Sequence, residues 1–363
     1  MKKKSLIALL VVLCLCMICA CGKKDDDKKD DKTEATTAKT DATTEAPTDD
    51  TTEATTEATE ATTTTTTEAT SEDVTEEEEE ENYETGDASL DDPRNADNIG
   101  EKEILVVSFG TSFNDSRRLT IGGIEAAIEK AYPDWSVRRA FTAQIVIDHV
   151  EKRDGEKIDN VKEALERAVA NGVKTLVIQP THLMSGFEFD ELVETILDYS
   201  DLFENIEIAD PLLTSDEDFE RVASIIAKDT ASYDDGETAI CFMGHGTEHE
   251  SNAVYTKMQE TLKNLGYDNY YIGTVEAEPS FQDVIDIVKK AGKYKKVVLK
   301  PLMVVAGDHA NNDMAGDEDD TWKTLFVNEG FEVEPIISGL GQISEIQDIY
   351  VEHTKAAIES LNK

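Results

Sequence analysis

Short runs of branched apolar residues alternate with amphipathic stretches between Glu101 and Lys363. Four of the runs end at Gly or Pro, as buried strands of parallel sheets do; they read EILVVSFG, KTLVIQP, TAICFMG and KKVVLKP. The stretches KIDNVKEALERAVANG and SFQDVIDIVKKAG place apolar residues at helical spacing and stop at Gly. This alternation predicts an α/β fold with parallel sheets.

The two halves of this region are similar to each other. The segment near residue 107 matches the segment near residue 241, VVSFGTSFNDS against CFMGHGTEHES, and a second pair reads LVIQPTHLMSGFEFDE against VVLKPLMVVAGDHANNDMAGDE. In each half one strand ends at Gly-Thr, and a later strand runs through Pro into a loop that carries Gly. We therefore predict two similar lobes, residues 101–228 and 229–363, that face each other across a ligand-binding cleft.

The second half adds metal-binding chemistry at the predicted strand ends. When the halves are aligned, Phe109 corresponds to His245, and Glu188 corresponds to His309. A third strand-end segment, YYIGTVEAEPS, supplies Glu276. Two imidazoles and a carboxylate on three loops suit a divalent metal site with an open coordination position. Taken alone, the Gly-His-Gly segment around His245 favours a histidine that merely closes a tight turn, and the rest of the chain changes that interpretation.

Four segments of the chain resemble the motifs of a known family: VVSFGTSFNDSR, MGHGTEHESNAVY, GTVEAEPS and PLMVVAGDHANNDMAGD. Together they resemble the anaerobic sirohydrochlorin cobaltochelatases, class II tetrapyrrole chelatases, over essentially all of residues 101–363. The resemblance implies two flavodoxin-like lobes, sirohydrochlorin or a related tetrapyrrole in the cleft, and a role in anaerobic cobalamin biosynthesis. It also implies cobalt(II) as a substrate ion held by His245, Glu276 and His309, with no organic cofactor.

Metal insertion of this kind removes two pyrrole protons, so the implied site needs bases as well as ligands. A neutral imidazole serves as both near neutral pH, and we expect His245 to be the principal base while His309 and Glu276 hold the ion. Glu188 is a candidate to assist proton removal or metal delivery; its alternative role is a carboxylate that stabilises a helix start. His182 either contacts the substrate or is a hydrogen-bonded loop histidine.

Three hydroxyl residues, Ser108, Thr111 and Ser112, are candidates to bind the carboxylates of the macrocycle. They precede a predicted helix, whose first backbone N–H groups favour anions. Arg117 and Arg118 follow closely, but adjacent residues point to different faces of a helix, so at most one can reach the same ligand.

The remaining histidines have less specific surroundings in the sequence. His249 either supports the metal ligands through an outer contact or is a solvated surface histidine. The second interpretation is the simpler one. His149 and His353 lie within helical patterns and are interpreted as structural.

The N-terminus has the features of an export signal. Three lysines precede an apolar run that is short for a membrane span, and the run ends in Ile-Cys-Ala-Cys. This segment resembles a bacterial lipobox, so residues 1–21 are predicted to be a lipoprotein signal peptide with Cys21 as the lipidated residue. The alternative is an uncleaved anchor helix. After cleavage Cys21 and Cys241 are the only cysteines, which excludes a disulfide framework.

The segment from residue 22 to residue 100 is rich in Thr, Glu, Asp and Ala. Because it contains few large apolar residues, we predict a disordered acidic tether, whose deletion from Lys23 to Gly100 should leave turnover unchanged.

The formal net charge of the chain is −43, which argues against a nucleic-acid partner and favours accumulation of a dication. Membrane contact is expected only through the lipid, on the outer face of the cytoplasmic membrane or in the periplasm.

Export leaves two alternatives to a chelatase, since the usual members of the resembled family are cytoplasmic. The first alternative is a non-catalytic carrier of tetrapyrrole or haem at the cell surface. The second is the solute-binding lipoprotein of a metal importer, which would bind metal tightly without affinity for a tetrapyrrole.

Substitution of Cys21 by Ser tests the lipidation prediction. Without the thiol no acyl chain can be attached, and we expect Cys21→Ser to move the protein from the membrane to the soluble fraction without loss of metal insertion. Cell fractionation followed by immunoblotting measures the first effect, and an insertion assay measures the second. Continued retention on membranes would favour the uncleaved anchor helix.

Overall fold

Two four-stranded parallel sheets organise residues 85–361, the part of the chain that the computed structural model describes. The strands are β1 Lys102–Ser108, β2 Ser136–Phe141, β3 Thr175–Pro180, β4 Asn205–Ile208, β5 Thr238–Gly244, β6 Tyr270–Thr274, β7 Lys296–Pro301 and β8 Glu332–Pro335. The first sheet has the order β2-β1-β3-β4 and the second the order β6-β5-β7-β8. The predicted signal peptide, Cys21 and most of the predicted tether lie outside the described residues.

Helices cover both sheets. The predicted α/β fold with two similar lobes is therefore confirmed. The helices are α1 Asn114–Leu119, α2 Ile121–Ala131, α3 Gln144–Asp154, α4 Val161–Ala170, α5 Phe187–Tyr199, α6 Asp216–Asp229, α7 Ala253–Asn264, α8 Phe281–Ala291, α9 Trp322–Asn328 and α10 Ser344–Ser360. A π-helical turn also spans Ala310–Met314. Within residues 85–361 no helix is both long and apolar enough to cross a membrane.

The four strands predicted from apolar runs are the central strands of the two sheets. In β1, β3, β5 and β7 nearly every residue is buried, because helices cover both faces and a continuous apolar sequence is then required. The flanking strands have a different composition. β2 includes Arg138 and Arg139, while β4 and β8 are short and partly exposed, so an apolar pattern does not detect them.

The two lobes exchange helices. A single boundary between residues 228 and 229, as predicted, does not assign these helices to the lobe on which they pack. The C-terminal helix α10 packs against α2 and β3 of the first lobe, and α6 packs against α7 of the second. One apolar core therefore includes side chains from both halves of the chain, among them Val106, Ile226, Phe242 and Tyr350. The boundary separates the sheets but not the helices, because α10 follows the second sheet yet packs on the first lobe, and α6 precedes that sheet yet packs on α7.

Residues 85–100, assigned from the sequence to the disordered tether, lie against the first lobe; we call them the strap. Asp91 of the strap has a buried side chain, and its Oδ2 lies 2.7 Å from both Nε of Arg117 and Nη1 of Arg139. Ile99 packs against the apolar core of the lobe. The tether prediction does not hold for these residues. A polar composition predicts disorder, but two buried guanidinium groups require a counter-charge, and local composition does not show that requirement.

Two deletions distinguish the strap from the rest of the N-terminal segment. Removal of residues 23–84 should leave the melting temperature of the folded part unchanged. Removal of residues 23–100 leaves Arg117 and Arg139 without Asp91, and loss of one partner of a buried ion pair costs about 3–5 kcal/mol. Thermal denaturation of the two proteins measures the difference. Equal melting temperatures would show that the strap contributes nothing to the fold.

Candidate metal centre in the cleft

Three loops with potential metal ligands leave neighbouring strands of the second sheet. His245 directly follows β5, Glu276 lies two residues beyond β6, and His309 ends the loop after β7. Because β5 pairs with β6 on one side and with β7 on the other, all three loops emerge at the carboxyl edge of one sheet. The carbonyl of His245 accepts the backbone N–H of Glu276 at 2.9 Å, which holds the first two loops together.

Gly246 allows the first two loops to approach so closely. Its φ is +91°, and a Cβ at this position would lie 2.7 Å from the backbone nitrogen of Ala277. A larger residue would therefore push the loops apart. The glycine after His245 does form a tight turn, as one reading of the sequence had it, and this turn places the imidazole beside the other two ligands.

The three predicted metal ligands lie together at this edge. The potential ligand atoms of His245, Glu276 and His309 are all within 4.8 Å of one another. The two imidazole rings are nearly perpendicular, with their centroids 4.6 Å apart. Two imidazole nitrogens and a carboxylate oxygen suit a divalent first-row transition metal and leave further coordination positions open.

Both imidazoles are oriented by a hydrogen-bond acceptor at Nδ1. Nδ1 of His245 lies 2.8 Å from the carbonyl oxygen of Gly246, and Nδ1 of His309 lies 2.7 Å from Oδ2 of Asp313. A carbonyl and a carboxylate only accept, so each Nδ1 carries the proton and each Nε2 keeps a lone pair for a metal. Such outer partners are typical of metal-binding histidines. The sequence analysis missed Asp313, although its spacing of four residues from His309 was visible.

The ligands form part of the wall of a cavity of about 550 Å³ between the lobes, a volume within the usual range of ligand and cofactor sites. Phe109 and Phe187 of the first lobe also line it, with 49% and 53% of their surface exposed. Exposed aromatic side chains in a cleft suit a large, flat, apolar ring system. Other apolar residues of the lining are Val146, Leu183, Met184, Met303, Val304 and Val305.

The family model described as cobalt chelatase (CbiK) matches residues 102–359. The chain belongs to this cobalt chelatase family. It is 34% identical over 258 residues to the sirohydrochlorin cobaltochelatase of Salmonella typhimurium, covering 71% of this chain and 97% of that protein. It is 27% identical over 264 residues to the sirohydrochlorin cobaltochelatase CbiKC of Nitratidesulfovibrio vulgaris, covering 72% and 92% of the two chains.

A solved structure agrees with the fold of this cobalt chelatase family member. SirB from Bacillus subtilis with Fe³⁺ has a TM-score of 0.50 and 13% sequence identity, covering 73% of this chain and 98% of that one. At this identity the likeness concerns the fold alone. It supports the arrangement of two similar α/β lobes that the sequence predicted.

Glu188 and His182 both line the first-lobe side of the cleft. Glu188 is the second residue of α5 and is exposed, so its position fits a proton acceptor as well as a helix-start carboxylate. His182 has no hydrogen-bond partner for either ring nitrogen, so it is not the hydrogen-bonded loop histidine of the alternative reading. Burial lowers the pKa of His182 to about 4, although the charge of Glu188 raises it; the ring is therefore neutral at physiological pH.

The three hydroxyl residues predicted to bind the substrate differ in their exposure. Ser108 and Thr111 are buried. The Ser108 hydroxyl pairs with Thr181, and Thr111 Oγ1 accepts the backbone N–H of Phe113 at 3.2 Å. Both residues nevertheless belong to the cavity lining, so substrate binding by them stays a prediction, with hydroxyls that already have partners in the protein. Ser112 is partly exposed in the lining and remains a candidate for substrate binding.

Neither candidate arginine belongs to the cleft lining. The Arg117 side chain is fully buried and pairs with Asp91 and Glu156. Arg118 pairs with Asp115 on the outside of α1. Burial among carboxylates, rather than direction on the helix, excludes Arg117 from substrate binding.

His249 connects the two lobes at the mouth of the cleft. Its ring contacts the ring of Phe187 edge-on, with the centroids 4.8 Å apart, and its Nε2 lies 3.5 Å from Oδ2 of Asp190. Its Nδ1 is 2.9 Å from Oγ of Ser251. The prediction of a solvated histidine is therefore wrong, because the repeat of the two lobes gave no information on contacts between them. His353 bonds to the first lobe through Asp210 and Asp218, as its structural interpretation requires.

Asp313 should control the pH dependence of metal binding. Its hydrogen bond raises the pKa of His309, against the lowering effect of burial, and its charge adds to the rise. Metal binds only the deprotonated imidazole, so cobalt affinity should fall as the pH drops through this raised pKa. Asp313→Asn removes the charge, so the midpoint of the cobalt affinity should move to lower pH.

Cobalt titrations over a pH series measure this midpoint, and Asp317→Asn is the matched control. Asp317 lies in the same loop region and pairs with Lys323 instead of a histidine. We also expect the affinity of Asp313→Asn at high pH to fall by about tenfold, as for other outer partners of metal ligands. An equal shift of the midpoint in both variants would assign the effect to the general field of the acidic loop.

Proposed function

We propose that this protein inserts cobalt(II) into sirohydrochlorin, or a closely related tetrapyrrole, outside the cytoplasmic membrane. The observation that carries the proposal is the position of His245, Glu276 and His309 within coordinating distance at the wall of a cleft. The two relatives named sirohydrochlorin cobaltochelatase support the choice of substrate. Cobalt is a substrate ion in this proposal, held briefly and then transferred.

The first step is capture of the ion by the two Nε2 atoms and the Glu276 carboxylate. Three protein ligands replace part of the hydration shell, and the open positions face the cleft. The ligands are partly exposed, with 46% of the His245 side chain and 54% of the Glu276 side chain accessible. An incoming pyrrole nitrogen can therefore reach the ion from the cleft without opening the site.

The second requirement is a place for the macrocycle. We assign its faces to the cleft between the ligand loops and the half-exposed rings of Phe109 and Phe187. Among residues 85–361, those that line the cavity include neither Lys nor Arg. The carboxylates of the substrate therefore point towards solvent, where the partly exposed Ser112 is available as a hydrogen-bond donor.

The third requirement is removal of two pyrrole protons, because the neutral macrocycle binds the dication with release of two protons. His245 is the base on the metal side, since its Nε2 becomes free once the ion passes to the ring. Glu188 lines the opposite lobe and is the candidate acceptor for the other proton. Its exposure gives that proton a route to solvent.

The proposed location outside the membrane rests on the sequence of the N-terminus. The match to the family model begins at residue 102, so the apolar signal, Cys21 and the acidic segment lie outside it. A lipid at Cys21 would hold the enzyme at the membrane surface, and the acidic segment would raise the local concentration of cobalt ions.

The alternative is a carrier that binds a tetrapyrrole in the same cleft without catalysis. Single-turnover mixing of the protein, sirohydrochlorin and cobalt distinguishes the two, because insertion changes the absorbance spectrum of the macrocycle. An enzyme accelerates this change and then turns over again. A carrier shifts the spectrum once, on binding, and leaves the uncatalysed insertion rate as it is.

Substitutions of the three ligands test the catalytic assignment. We expect His245→Ala and His309→Ala each to reduce cobalt insertion by about a hundredfold or more, while melting temperatures stay close to wild type because strand-end loops contribute little to the core. Glu276→Gln should weaken cobalt binding by at least about tenfold and leave tetrapyrrole affinity nearly unchanged, since the amide keeps the shape.

Glu248→Gln is the matched control, because Glu248 is an exposed carboxylate of the same cleft that is not among the three clustered ligands. It should insert cobalt at the wild-type rate. Insertion by His245→Ala at a near wild-type rate would restore the reading of His245 as a turn histidine.

A further inference from the structure

The short helix α1 is held on one side by the strap. The backbone carbonyl of Thr85 accepts the N–H of Asp115 at 2.8 Å, and the carbonyl of Gly86 accepts Nδ2 of Asn114 at 3.2 Å. The first bond satisfies a backbone N–H of the first helical turn, which has no partner within the helix, and the second holds the side-chain amide of Asn114. The strap thus acts as an external cap for α1.

The opposite side of α1 is bonded to the loop that carries His309. Oγ of Ser116 accepts the backbone N–H of Ala306 at 2.9 Å, and the bond is buried. Immediately before α1, Thr111 packs against Gly307, where a Cβ would lie 3.0 Å from Thr111 Oγ1. Ala306 and Gly307 precede His309 by three and two residues. A displacement of α1 is therefore transmitted to the backbone just before a metal ligand.

The buried, charged side chain of Arg117 connects the strap to the loop that precedes α1. Its side chain is fully buried; Nε is 2.7 Å from Asp91 and Nη2 is 3.1 Å from Glu156. Its Nη1 donates to the backbone carbonyl of Thr111 at 3.4 Å. A buried guanidinium needs its counter-charges, so Asp91 fixes the position of Arg117, and Arg117 in turn holds the loop that packs against Gly307.

We infer that Asp91 and the first residues of the strap position the His309 loop and so set the cobalt affinity of the metal centre. Asp91 is a positioning residue in this inference, acting through Arg117 and α1 without touching the ion. The strap precedes the region matched by the family model, which begins at residue 102, so this control is an addition to the matched region. The inference rests on the proposed function only in taking cobalt as the ion.

The first test compares Asp91→Asn with Asp97→Asn in the full-length protein. Asp97 lies in the same strap but forms an exposed ion pair with Arg167, away from α1. Cobalt titration without tetrapyrrole gives Kd, and insertion assays give KM for cobalt and kcat. We expect Asp91→Asn to raise both Kd and KM for cobalt by up to about tenfold, the lower range for outer partners of metal ligands, with kcat at saturating cobalt near wild type. Asp97→Asn should change neither constant.

The split between KM and kcat separates positioning from stability. A variant that merely unfolds in part loses active molecules, which lowers the apparent kcat but leaves Kd and KM of the folded fraction unchanged. That pattern in Asp91→Asn, with a lowered melting temperature, would overturn the inference and assign Asp91 a structural role alone.

The second test displaces the strap without removing a charge. Gly86 has φ +102°, and a Cβ there would lie 2.4 Å from Cγ of Asp115. Gly100 has φ +91° with open space around it, so Gly86→Ala and Gly100→Ala share the cost of a positive φ and differ in the clash with the side chain of Asp115, which must move away from the strap. Gly86→Ala should weaken cobalt binding in the same direction as Asp91→Asn, and Gly100→Ala should not.

A third variant tests the route through α1. Ser116→Ala breaks the bond to Ala306, so Asp91→Asn combined with Ser116→Ala should raise Kd by less than the product of the two single effects. Independent, multiplicative effects would contradict the proposed route.

The inference and the proposed function can fail separately. Failure of the wild type to insert cobalt would refute the proposed function, but the Kd for cobalt would still test the inference. Wild-type Kd values in Asp91→Asn and Gly86→Ala would refute the inference.

Discussion

The metal centre depends on the hydrogen-bonded register of three neighbouring parallel strands. Gly244 of β5 pairs with Thr274 of β6, and Met243 pairs with Pro301 of β7, so the three strands end at nearly the same level of the sheet. The loops that follow them start at one edge, and ligands far apart in the chain reach coordinating distance. The backbone bond from Glu276 to His245 is possible only because Gly246 lets the two loops touch.

The same frame serves a different purpose in the first lobe. Its sheet has an equivalent strand order, but the strand ends that correspond to those of His245 and His309 lead to Phe109 and Glu188. One lobe therefore presents two imidazoles and a carboxylate to the cleft, and the other presents an aromatic side chain and a carboxylate. This division agrees with a reaction that holds an ion on one side of a flat ring and removes protons from the other.

The first lobe also contains an unusual amount of buried charge. Arg117, Arg138 and Arg139 are among the largest fully buried side chains, and each requires carboxylates to offset the loss of hydration. Part of that compensation is supplied by Asp91, from a segment that precedes the region matched by the family model. The N-terminal boundary of the folded unit is consequently set by electrostatics, and it lies before the first strand.

The sequence by itself determined the α/β class, the two-lobe repeat and the trio of His245, Glu276 and His309, because continuous burial requires apolar runs and ligands at strand ends follow from a repeat. It did not determine which helix covers which lobe, that Asp91 folds back onto Arg117 and Arg139, or that the hydroxyl of Ser108 is buried. Those features were decided by the tertiary structure, since they depend on contacts between segments that no local pattern relates. A buried charge or hydroxyl selects its partner in space, whereas periodicity records only which face of an element is covered.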